Sequence, residues 1–328
     1  MTVAIVGNVP YTLNCTDQTE IDIVVDTSAR AATRPRRGRR GPHLWAVLFL
    51  LPSLIAIVSF DYWPLLRTGF LSMQSTNLFG QPNGFVGSDN FAAMFSDPDF
   101  WRTLGITVLF MLGSVAGKVI VGLAIALPVS QRVRGTGVFR ASVLIPMAVS
   151  TAVAGLAFRA LMTPSTGLFD VIARALGGDN VGWLTSTNVS LLSVIIVDVW
   201  TAIGFTVLLL LAALDSIDKQ VFEAADVDGA RFWRRTFSIT LPLITPTLFF
   251  VVVTQSIQAL REFTIINVLT AGGPADSTRT LVIDIYQAAF GGTADYGASS
   301  ARSIILLVLI LALTAIQFGV LERRVNYR

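Results

Sequence analysis

Residues 190–214 read SLLSVIIVDVWTAIGFTVLLLLAAL, a run whose one ionisable side chain is Asp198. A helix needs about 20 mostly apolar residues to cross the hydrocarbon core of a bilayer. Five more runs meet that measure: 44–66, 103–129, 138–162 with Pro146 inside it, 237–260 and 304–321. Barrel strands would alternate with a period of two, and these runs are continuous. Composition agrees. Charged residues make up 14% of the 328 and hydrophobic ones 53%, and mean hydropathy is +0.67. Soluble domains carry roughly 25% charge, so this chain lacks the charges to cover a water-facing surface. Disorder over most of the length requires the opposite composition. The sequence predicts an all-α, polytopic membrane protein with six transmembrane helices.

Residues 1–43 are set apart as a disordered, cytoplasmic basic tail, and residues 44–328 form the six-span domain. The tail ends in Arg34-Pro35-Arg36-Arg37-Gly38-Arg39-Arg40. Beside a span, such a run sets topology by the positive-inside rule and does not point to nucleic acid. Arg132, Arg134 and Arg140, then Lys219, Arg231, Arg234 and Arg235, then Arg323, Arg324 and Arg328 fall on the tail's side. Fewer basic residues, among them Arg67, Arg102, Arg159, Arg174, Arg261, Arg279 and Arg302, fall on the other. Both termini are therefore expected in the cytoplasm, with long outer loops at 67–102, 163–189 and 261–302. The lone Cys15 cannot form an intrachain disulfide. With His43 the single histidine, no metal site is expected.

The loop between spans four and five carries the most information. It reads DSIDKQVFEAADVDGARFWRR from Asp215 to Arg235. Asp215 or Ser216 can cap a short helix. Val221, Phe222 and Ala225 share a face, and Gly229 ends the helix before a second turn begins near Ala230. Phe222, Phe232 and Trp233 want a partner surface or the lipid interface.

Glu223-Ala224-Ala225, Gly229 six residues after the glutamate, and Ile239-x-Leu241-Pro242 resemble the coupling loop of ABC importer permeases. Phe85-Val86-Gly87-x-x-Asn90-Phe91, Ile145-Pro146, Pro164-x-x-Gly167 and Leu269-Thr270-x-Gly272-Gly273-Pro274 extend the resemblance to the carbohydrate-uptake type. The stretches 72–91 and 313–327 are similar to A-type permeases of glycerol-3-phosphate/glycerophosphodiester importers. The resemblance implies a bacterial inner-membrane location and no catalysis by this chain. ATP and Mg are expected on a pair of separate ATP-binding subunits, and no cofactor on this chain. It also implies a homologous second permease, an extracytoplasmic solute-binding protein and membrane lipid as partners, and no nucleic acid. Glu223, Ala224, Ala225, Asp228 and Gly229 become the expected ATPase-coupling residues. The implied substrate is glycerol-3-phosphate or a glycerophosphodiester, with a sugar or oligosaccharide as the alternative.

The chain has no phosphate-binding loop of its own. The nearest match, Gly113-x-x-x-Gly117-Lys118-Val119, is one residue short, lacks the final Ser/Thr and lies within a span. Polar residues in the spans are the transport candidates, since charge there is costly and faces protein or water. Lys118 either meets substrate in a cavity or pairs across helices, with Asp198 as an available partner. Gln255, Gln258 and Glu262 fall at i, i+3 and i+7 on one expected face of span five, with Arg261 at its outer end. They either line a wet pathway or bond between helices. A stand-alone secondary transporter is disfavoured, because it has no use for an ATPase-docking loop. A membrane enzyme is disfavoured because the spans hold no catalytic constellation.

Overall fold

The computed structural model describes residues 3–6, 9–12, 42–77, 79, 81–130, 136–292 and 294–321. The Arg34–Arg40 run, Cys15, Arg132, Arg134, Arg323, Arg324 and Arg328 lie outside the described residues, as does most of the expected tail. The chain divides into two compact units, Met1–Asp61 and Tyr62–Arg328. The first holds an antiparallel hairpin, β1 (Val3–Val6) and β2 (Val9–Thr12), and the helix α1 (Pro42–Ile57). The second opens with α2 (Trp63–Leu71), a hairpin of β3 (Gln74–Thr76) and β4 (Pro82–Phe85), and α3 (Asp89–Ser96). Then come α4 (Pro98–Ser130), α5 (Thr136–Ala148), α6 (Thr151–Leu161), α7 (Leu168–Ala175), α8 (Ser190–Asp215), α9 (Lys219–Val227) and α10 (Phe232–Arg235). The chain finishes with α11 (Leu241–Leu243), α12 (Thr245–Leu260), α13 (Thr264–Leu269), α14 (Leu281–Phe290) and α15 (Tyr296–Leu321). The fold is mostly helical, with the two short hairpins as its described strands.

Among the described residues, four helical segments are long and apolar enough to cross a bilayer alone: Val47–Leu71, Pro98–Ser130, Ser190–Asp215 and Tyr296–Gly319. Two bent pairs complete the six. Arg140–Ala148 meets Thr151–Leu161 at 101°, and Phe232–Leu243 meets Thr245–Leu260 at 71°. The third and fifth spans, which the hydropathy presents as single runs, are thus broken. Proline is the physical reason, since it removes an i→i−4 bond and crowds the preceding turn. Pro146 lies three residues before the first break, where Ser150 is extended (ψ 137°). Pro242 and Pro246 bracket the second break at Ile244. Two widened π turns, Val58–Tyr62 and Thr236–Thr240, each lie directly ahead of a helix with proline in its first turn, Pro64 and Pro242.

α4 and α8 pack most closely. A Cβ at Gly113, Gly117 or Gly122 would come within 2.7–2.8 Å of Ile195, Val199 or Thr206. Lipid tails are as apolar as leucine, so helix association in a bilayer relies on such close backbone approach. One buried cluster joins Phe110, Met111 and Val115 of α4 to Val194 and Val197 of α8 and to Ile265 and Ile266 of α13. A second joins Ala126 and Val129 to Val207, Leu210 and Leu214 at the other end of the same helix pair.

Candidate functional site

The loop between the fourth and fifth spans folds as a helix–glycine–helix element. Its cap is Asp218 rather than the expected Asp215 or Ser216. Ser216 still donates its N–H to Ala212 O at 3.2 Å and so belongs to the end of α8. The backbone first becomes extended at Asp218 (ψ 132°), whose Oδ1 accepts from Gln220 N–H at 3.0 Å. Asp215 instead faces Arg140 at 3.5 Å. At the far end Gly229 has φ +68°, Ala230 N–H donates to Ala225 O at 3.0 Å and Gly229 N–H to Asp226 O at 3.1 Å. This paired closure satisfies carbonyls that a helix end leaves open. A Cβ at Gly229 would meet nothing within 4 Å, so the left-handed backbone, not crowding within the chain, calls for glycine there.

Arg235 ties the two short helices together. Its Nη1 lies 3.1 Å from Asp226 Oδ1 and its guanidinium 4.3 Å from the centre of the Phe222 ring. The ion pair is partly exposed and so contributes about 0–1 kcal/mol, with a similar amount from the ring contact. Ala225 is buried against its own chain, whereas Glu223, Ala224, Asp228 and Gly229 are exposed. Phe232, Trp233, Phe237 and Val227 leave large apolar surface uncovered beside them. A cavity of about 530 Å³ separates α9 and α10 from Leu127 at the end of α4 and Leu214 at the end of α8.

The five interior candidates do not form one cluster. Lys118 Nζ lies 2.8 Å from Asp198 Oδ2, with side-chain exposures of 1% and 5%, and Ser114 Oγ donates to the same carboxylate. Of the two roles open to Lys118, the structure takes interhelical pairing. Gln255 is buried and donates to Thr206 Oγ1 of α8 at 3.3 Å, while Gln258 is exposed. The single face expected of Gln255, Gln258 and Glu262 is not kept, because α12 stops at Leu260 and Glu262 lies beyond it. Glu262 Oε1 accepts from Ile265 N–H at 2.8 Å, at the start of α13. Burial pushes the Glu262 carboxyl above its ordinary range, and the Ile265 N–H opposes that shift. Arg261 is exposed at the end of α12.

Sequence reasoning missed three features. Gln317 of α15 donates to Ser256 Oγ at 3.0 Å, a polar bridge between spans five and six. Asp284 of α14 is buried between Arg302, at 2.6 Å, and Arg279. Arg302 is thus neutralised, and Arg159 donates to Val268 O at 3.1 Å. Apart from Arg279–Asp284, five residues apart, the pairings join residues 18 or more apart in the chain, so local pattern carried no signal for them. Among the described residues, no three His, Cys, Asp or Glu side chains are placed to hold a metal ion.

The geometry is that of a mostly helical polytopic membrane protein with a capped, glycine-closed helix pair between spans four and five. The family model for the inner membrane component of binding-protein-dependent transport systems matches residues 118–327. The chain is 36% identical to the sn-glycerol-3-phosphate transport system permease protein UgpA of Agrobacterium fabrum over 283 residues, 85% of this chain and 95% of that protein. It is 37% identical to the trehalose/maltose transport system permease protein MalF of Thermococcus litoralis over 273 residues, 83% of this chain and 92% of that one. Among solved structures, a chain of a bacterial alginate ABC transporter in complex with its alginate pentasaccharide-bound periplasmic protein superposes with a TM-score of 0.71 at 25% identity. That match covers 87% of this chain and 95% of the other. The protein belongs to the family of inner membrane components of binding-protein-dependent transport systems, the permeases of ABC importers. It is the membrane-crossing permease of such a system and does not itself catalyse a reaction.

Proposed function

We propose that this permease imports glycerol-3-phosphate or a glycerophosphodiester, driven by ATP and Mg held on a separate pair of ATP-binding subunits. The α9–Gly229–α10 element is the coupling site, where Glu223, Ala224, Asp228 and Gly229 meet the ATPase and Ala225 roots the helix in its own chain. Both termini and this element face the cytoplasm. A homologous second permease completes the pathway, and an extracytoplasmic solute-binding protein delivers the substrate.

The observation that carries the substrate reading is likeness along almost the whole length to glycerol-3-phosphate permeases from several bacteria, at 34–36% identity. The interior adds chemistry in modest support. A desolvated phosphate needs donors or positive charge. Lys118 is neutralised by Asp198, so exposed Gln258, in the last turn of α12, and Arg261, just past its end, are the candidates left to meet an anion. A sugar is the second reading, favoured by the 37% identity to the trehalose/maltose permease. The test is uptake of labelled glycerol-3-phosphate, glycerophosphocholine and trehalose by the reconstituted complex, with Arg261→Gln alongside wild type. Phosphate-ester uptake that falls with Arg261→Gln is expected. Trehalose uptake without phosphate-ester uptake would overturn the substrate assignment.

A further inference from the structure

α7 is an amphipathic helix turned inside out. Its polar residue Asp170 is fully buried, with Oδ2 accepting from Ser165 N–H at 2.9 Å. Phe169 packs edge-on against Phe158 of α6 and Trp183, with ring centres 6.3 and 5.8 Å apart. Arg174 is held down by the backbone oxygens of Asp170 and Ser165. The opposite face carries Leu168, Val171, Ile172 and Leu176, at i, i+3, i+4 and i+8, and all four are exposed, Leu176 at 82%. A water-facing helix shows the reverse arrangement.

The position of the helix says what covers that face. α7 begins where the third span ends, since a Cβ at Gly167 would overlap the carbonyl of Leu161, the last residue of α6. Its inner face rests on Phe158, which belongs to the span itself. The next span starts at Ser190, with Leu192 and Ile196 exposed in its first two turns. The apolar face of α7 therefore lies at the level of the membrane boundary, continuous in the chain with lipid-facing surface on either side. We infer that α7 lies in the plane of the bilayer interface, on the side of the membrane away from α9, with Leu168, Val171, Ile172 and Leu176 buried in lipid. A helix of this kind holds its apolar face at the boundary between headgroups and acyl chains. It fixes the depth at which the exit from the bent third span sits. The buried Asp170 supports this by bracing the turn 162–167 from within.

Spin labels test the inference in the full transporter complex, reconstituted in nanodiscs of phosphatidylethanolamine and phosphatidylglycerol. In a Cys15→Ser background, single cysteines are placed at Ile172 and Leu176, and at Asn188 as an exposed polar reference. Labels at Ile172 and Leu176 are expected to collide readily with oxygen, which partitions into lipid, and to lose collisions with a water-soluble nickel chelate. Asn188 is expected to show the reverse order. Ready access of the chelate to both α7 sites would overturn the inference in favour of a water-facing helix. Low access to both quenchers would overturn it in favour of cover by another protein chain. Leu176 lies just past the helix and is the most exposed of the four, so its label reads the environment even if one at Ile172 disturbs α7.

Discussion

Removing either charge of the Lys118–Asp198 pair should destabilise the protein by about 3–5 kcal/mol, and removing both should restore most of the loss. The figure follows from the geometry. The charges are 2.8 Å apart, almost wholly buried, and lie on α4 and α8, the closest helix pair. Stranding one of them leaves a charge without water or partner. Insertion scales give a similar figure, about 2.5–3.5 kcal/mol for a mid-membrane charge. On the scale of soluble proteins, this is a drop on the order of 10 °C in Tm. The double variant Lys118→Met/Asp198→Leu should recover stability, because an apolar pair has no desolvation penalty to offset. Thermal unfolding of the purified complex reads these values, and uptake by the same preparations reads function. Single variants as stable as wild type would refute the buried pair. A double variant that regains stability but not uptake would return Lys118 to the substrate pathway.

Two further outcomes follow from individual residues. Gly229→Ala should cost about 1 kcal/mol locally through its positive φ, with a Cβ that touches nothing in its own chain. Normal membrane levels are therefore expected with weaker ATPase co-purification, and unchanged co-purification and uptake would remove this loop from the coupling interface. Glu262→Gln tests the buried carboxyl. A pKa raised in the folded state means its stabilising effect is full below the unfolded value of about 4.3 and is lost as pH rises through the folded value. Gln can still accept from Ile265 N–H, so the variant should match wild type near pH 4.5 and gain in Tm towards pH 7.5. A Tm difference that does not vary with pH would contradict the burial of Glu262.

The apolar runs by themselves determined the class and the number of crossings, because hydrocarbon admits a helix only where about 20 residues in a row are apolar. The residues from Glu223 to Gly229 determined the helix and its stop between spans four and five, because a helix stop with positive φ is a local event that one glycine encodes. Local pattern could not say where a span breaks. Pro146, Pro242 and Pro246 are visible in the sequence, but a proline only weakens a helix, and packing sets how far it bends. The start of α9 shows the same limit. Asp215, Ser216 and Asp218 are all capable caps, and the choice fell to Asp218 because α8 runs on through Ser216. Partnership was the largest matter left to the tertiary structure. Lys118 and Asp198 are eighty residues apart and became an ion pair only because small residues let α4 and α8 meet. The heptad-like spacing of Gln255, Gln258 and Glu262 promised one polar face. Only the folded chain could end α12 at Leu260, which makes Glu262 a bracing group for α13 and leaves Gln258 exposed, because helix length here is decided by what the next segment packs against.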